Sequence, residues 1–76
     1  MIAEAALGAC RPLPDVRVVA SVRGIPPCSV TLAINGKWYD YEFDDCYDAE
    51  KVVRLAKNPN PRLRVQAISI ARKWAR

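Results

Sequence analysis

Asn35-Gly36 stands between two runs of alternating side chains, Cys28 to Ile34 and Lys37 to Phe43. A two-residue type I′ turn needs positive φ at both central positions, and Asn-Gly tolerates this well. The dipeptide therefore predicts a β-hairpin, and a two-residue loop sets its register. Ile34 faces Lys37, Leu32 faces Tyr39, Val30 faces Tyr41 and Cys28 faces Phe43, with these side chains all on one side. The other side carries Ser29, Thr31, Ala33, Trp38, Asp40 and Glu42. One side is apolar and the other mixed, as in a sheet covered on one face only.

A third strand is expected ahead of the hairpin, over Val16 to Arg23. Simple alternation points Val16, Val18, Ala20 and Val22 one way and Arg17, Val19, Ser21 and Arg23 the other. Gly24-Ile25-Pro26-Pro27 connects it to the hairpin. Upstream, residues 2–7 favour a short helical turn that Gly8 can end, and Pro12 and Pro14 then forbid regular helix.

Helix signals follow the hairpin. Asp44 or Asp45 can cap a helix over residues 45–57, with Asp48 and Glu50 near the positive end of its dipole. Asn58-Pro59 breaks it. Asn60-Pro61 starts a second helix over residues 61–76, with Asn as N-cap and Pro at the first helical position. At 100° per residue, Leu63, Ala67, Ile70 and Trp74 form an expected buried seam. Arg62, Gln66, Ser69, Lys73 and Arg76 fall opposite, with Arg72 nearby. The predicted fold is α+β: a three-stranded antiparallel meander over residues 16–43, with two helices packed on one face. Residues 1–15 form an N-terminal segment of the same small domain, which spans 1–76.

The chain has 76 residues, so roughly 60% of its unfolded surface can be buried. Function is accordingly expected on an outer surface. Charge is strongly polarised. Residues 40–50 hold six acids and no base, and residues 51–76 hold eight bases and no acid. The first 39 residues add four bases and two acids, giving a net charge of +4. Such polarity bears on partners.

Catalytic equipment is sparse. Histidine is absent, which removes the commonest general base, the usual triads and most zinc sites. Three glycines cannot write a phosphate-cradling loop. The spacing of Asp44, Asp45, Asp48 and Glu50 is not that of an EF-hand, and helix capping explains it. Cys10, Cys28 and Cys46 are odd in number and contain no Cys-x-x-Cys pair, so they read as reduced thiols of a cytoplasmic protein. Cys46, with carboxylates close by and no base beside it, reads as inert. No apolar run approaches the ~20 residues of a membrane span, and the N-terminus is a poor signal peptide. The expectation is a soluble non-enzyme without metal or cofactor.

Binding surfaces remain. Trp38 is expected on the outer sheet face with Arg17, Arg23, Thr31, Asp40 and Glu42, an arrangement suited to a protein interface. Arg54, Lys57, Arg62, Arg72, Lys73 and Arg76 form a basic ridge suited to nucleic acid or an acidic protein surface. The acidic stretch from 40 to 50 could dock on a basic groove, although capping and hairpin-edge chemistry explain it too. The leading expectation is an interaction protein that occupies a surface of a larger protein or nucleoprotein complex. Size and opposed charge are shared with phage and mobile-element inhibitors of host nucleic-acid-handling systems, anti-CRISPR proteins among them, which is an analogy of build. The competing expectations are direct nucleic-acid binding through the basic ridge, and self-association as a homodimer through Trp38 or a sheet edge instead of a monomer.

Overall fold

The computed structural model describes residues 12–76, so the helical turn expected over 2–7 and Cys10 both lie outside the described residues. Strands β1 (Val16–Val22), β2 (Cys28–Ile34) and β3 (Lys37–Phe43) precede helices α1 (Cys46–Ala56) and α2 (Pro61–Trp74). The strands make one antiparallel sheet in the order β1-β2-β3. This is the expected α+β architecture.

The hairpin forms as its turn dictates. Asn35 has φ 52° and Gly36 φ 84°, and β2 pairs with β3 residue for residue from Ile34↔Lys37 to Cys28↔Phe43. Asn35 also ties down β1. Its amide donates to the Asp15 carbonyl at 2.9 Å, and its side-chain oxygen accepts from the Asp15 amide at 3.0 Å. The helices start where their caps stand. Asp45 accepts from the Tyr47 amide, and Asn60 accepts from the Arg62 amide, each at 2.9 Å.

Both helices cover the same sheet face. Val16, Val30, Leu32, Ile34 and Phe43 from the strands meet Ala49, Val52, Val53, Ala56, Ala67, Ile68 and Ala71 from the helices. Four buried alanines on the helices let backbones approach closely, so a thin core closes with few large side chains.

Three expectations are corrected. The first concerns β1. Val18 opposes Leu32, but Ala20 opposes Thr31, so Val19 is an extra residue in a β-bulge. A bulge reverses the parity of everything after it. Ser21 now pairs with Val30 on the helix side, while Ala20 and Val22 move to the outer face. Arg23, beyond the end of β1, follows the reversed parity and reaches α1, where it pairs with Glu50 at 3.5 Å.

The second correction concerns the cysteines. Cys28 and Cys46 form a disulfide with a Cα–Cα distance of 5.2 Å, so they are not reduced thiols. The bond links the start of β2 to the first turn of α1 and encloses the hairpin. The third concerns α2. Its buried residues are Ala67, Ile68 and Ala71, whereas Trp74 is 56% exposed. The seam is rotated because Arg64 sits half-buried on it and donates to the carbonyls of Asn58 and Pro59 at 2.8 and 3.0 Å. The guanidinium thereby satisfies carbonyls in the linker, which lets a cation take a seam position.

Candidate functional site

The outer sheet face is assembled by the strand register. Its rows are Arg17–Ala33–Trp38, then Ala20–Thr31–Asp40, then Val22–Ser29–Glu42. Because α1 and α2 pack on the opposite face, neither helix covers these rows. Trp38 is 71% exposed and Val22 62%. Ala33, the cross-strand neighbour of Trp38, offers only a methyl group beside the indole. The Thr31 hydroxyl donates to the Asp40 carboxylate across the hairpin. Arg17 pairs with Asp15 at 3.2 Å. Thr31 is the centre of this face, Trp38 and Ala33 lie together at one end beside Arg17 and Asp40, and Val22 stands at the opposite corner, across Ser29 from Glu42. Arg23, expected here, stands on the helix side.

The basic residues do not form one ridge. Arg62, Arg72 and Lys73 are exposed on α2, the first separated from the other two by most of the helix. The Lys73 ammonium lies 6.0 Å from the centroid of the Trp74 ring. Arg54 and Lys57 stand at the end of α1 and beside the α1–α2 linker. Arg76 has left the basic surface. Its amide donates to the Glu42 carbonyl at 2.8 Å, and its guanidinium pairs with Asp44 at 2.6 Å and Glu42 at 3.6 Å. The Asp44 hydrogen bond, then the Asp44 charge, with Glu42 adding to both, raise the Arg76 pKa above the ordinary guanidinium value. Its charged form is therefore complete at every pH below that range, and only strong alkali removes the contribution.

The acidic stretch is engaged within the fold. Asp45 caps α1, Asp40 accepts from Thr31, Glu42 and Asp44 hold Arg76, and Glu50 holds Arg23. These contacts are exposed, so the acids are partnered within the fold and still reach the surface. Among the described residues, no group of three His, Cys, Asp or Glu side chains is placed to hold a metal ion. No helix among them is long and apolar enough to cross a membrane.

Sequence reasoning missed the Cys28–Cys46 bond, although the hairpin register carried the signal. It sets Cys28 opposite Phe43, three residues short of Cys46 at the start of the next helix. The bulge had only a weak signal: Val19 is the one apolar residue on the side that simple alternation gives to Arg17, Ser21 and Arg23. Compared with known proteins, the chain matches no protein-family model, no curated protein and no solved structure.

Proposed function

We propose that this protein is a non-enzymatic interaction module that occupies a surface of a larger protein or nucleoprotein complex through the outer face of its sheet. The observation that supports this reading is Trp38, 71% exposed in a row of the sheet that neither α1 nor α2 covers. A large exposed aromatic ring with Ala33 beside it and charged and polar neighbours such as Asp40, Thr31 and Arg17 has the composition of an interface hot spot. The mixed rim supplies register and orientation, while the ring supplies area at low entropic cost.

The finer reading, an inhibitor of a host nucleic-acid-handling system, rests on size and opposed charge. The identity of the captured partner decides it. The cytoplasmic location read from the sequence rested on reduced cysteines. With Cys28 and Cys46 bonded, the chemistry favours a compartment where disulfides persist. Thiol trapping in intact cells decides between the two locations.

The test is a tagged pull-down from a bacterial lysate, with and without nuclease, using the parent and two variants. Trp38→Ala should remove a nuclease-resistant complex, weakening it by about 2 kcal/mol, roughly thirtyfold. Charge reversal at Arg62 and Lys73 should leave that complex intact. If capture survives Trp38→Ala and is lost on charge reversal or nuclease treatment, the sheet face is the wrong surface.

A further inference from the structure

A second surface runs along α1, does not include Trp38, and meets the outer sheet face only at the β1 edge, through Arg17. Tyr47, Lys51 and Arg54 recur on α1 at i, i+4 and i+7, which places them on one stripe. All three are exposed, as is Lys57 just beyond them. From Tyr47 to Lys57 the stripe runs about 15 Å at the helical rise. Three adjoining depressions of about 100, 460 and 430 Å³ follow it. The first two share Glu50 and Arg54, and the second and third share Lys57, Asn58 and Pro59. Together they make one shallow track along α1, past the linker, to the start of β1.

Charge in this track is one-sided. Arg17, Arg23, Lys51, Arg54, Lys57 and Arg64 line it, against Asp15 and Glu50. Each acid is already taken: Asp15 pairs with Arg17 at 3.2 Å and Glu50 with Arg23 at 3.5 Å. Lys51, Arg54, Lys57 and Arg64 have no acidic partner among the described residues. Arg64 is held by the carbonyls of Asn58 and Pro59, which fix it without cancelling its charge. Arg23 reaches the track from just beyond the end of β1, downstream of the bulge, where it pairs with Glu50.

We propose that this track binds the phosphodiester backbone of a single-stranded nucleic acid. A line of cations without a deep specificity pocket suits a ligand that repeats one charge per unit whatever its sequence. Tyr47, 71% exposed at one end, offers a ring on which a base can stack. An acidic peptide could match the charge but makes no comparable use of the ring.

The test is fluorescence anisotropy of the full chain with a labelled oligothymidylate 20-mer, at 50 and 200 mM salt. Four neutralised phosphates on a single strand give a slope of about −3 in log K against log salt, or a loss of roughly fiftyfold over this range. Arg54→Glu with Lys57→Glu should abolish binding. Arg54→Gln with Lys57→Gln, which perturbs the helix end less, should flatten the slope by about half. Tyr47→Ala should weaken binding at least about fivefold and leave the slope unchanged. Circular dichroism and a urea midpoint matching the parent confirm that these exposed substitutions leave the fold intact. The proposal fails if no saturable binding occurs at 50 mM salt, or if Arg62→Glu with Lys73→Glu abolishes binding while Arg54 and Lys57 can be neutralised without effect. It fails equally if oligoglutamate displaces the oligonucleotide at matched charge concentration.

Discussion

Strands β1 and β3 flank the same central strand, and they meet it differently. β3 pairs with β2 residue for residue, and its end is fastened by the neighbouring Cys28–Cys46 bond. β1 pairs regularly as far as Val18, then gains a residue at Val19 and crosses to the opposite parity. β1 is anchored in the core by Val16 and is held at its ends by polar contacts, from Asp15 to Asn35 and from Arg23 to Glu50. The central strand supplies most of the sheet's part of the core, and Val16 of β1 and Phe43 of β3 add one fully buried side chain each. The irregular strand decides what each surface carries, because it puts Ala20 and Val22 beside the Trp38 face and Arg23 beside α1. Alternation in a sequence thus establishes that a strand exists, but one bulge reassigns its faces.

The comparison breaks most visibly through the disulfide. Cys28→Ser with Cys46→Ser should lower stability by about 3 kcal/mol, since the bond closes a loop with a sequence separation of 18. Urea unfolding with and without a thiol reductant measures this. Equal midpoints would mean that the hairpin side holds without its covalent anchor, and that the contrast with β1 is one of geometry alone. A smaller loss is expected at the turn. Asn35→Ala places a non-glycine, non-asparagine residue at φ 52° and removes the acceptor for the Asp15 amide, costing about 1–2 kcal/mol. Hydrogen exchange should then report early opening of β1 before β3, and simultaneous opening would show that the two edges are equally secure.

The smallest effect is the most pointed. The Arg23–Glu50 pair is half-exposed, so a double-mutant cycle should give only about 0.2–1 kcal/mol of coupling. In a variant with Val19 deleted, β1 should alternate without interruption and Arg23 should point to the outer face. The coupling to Glu50 should then vanish. Retained coupling would show that the chain absorbs the missing residue elsewhere, and that the bulge does not place Arg23.

Much of the fold was legible because local chemistry and global pattern agree. Asn35-Gly36 set the hairpin and its register, and Asp45 and Asn60-Pro61 marked both helix starts. In α2, Ala67 is buried and Ile70 packs against the core as expected, but the seam centres on Ala67, Ile68 and Ala71 with Arg64 beside them, which leaves Trp74 exposed. In a thin core, closeness of backbones outweighs side-chain volume, and a guanidinium can lie there if carbonyls receive it. The candidate surfaces were legible in part. Trp38 could be assigned to a face from its register alone. Arg76 could not be removed from the ridge by reading the sequence, since its partners Glu42 and Asp44 lie more than thirty residues away. The track on α1 needed the third dimension as well, since Arg23 and Arg64 reach it from separate elements.

The Cys28–Cys46 bond also decides how the molecule would carry a mechanical load. Tension applied to the chain on either side of the hairpin passes through the sulfur bridge and bypasses β3 and the Asn35-Gly36 turn. Stretching the unfolded chain would therefore release about 60 Å less contour than its residue count implies, the length of the enclosed segment at about 3.4 Å per residue. Under pull, the hairpin is a closed eyelet on the thread, and only β1, α1 and α2 are free to unravel.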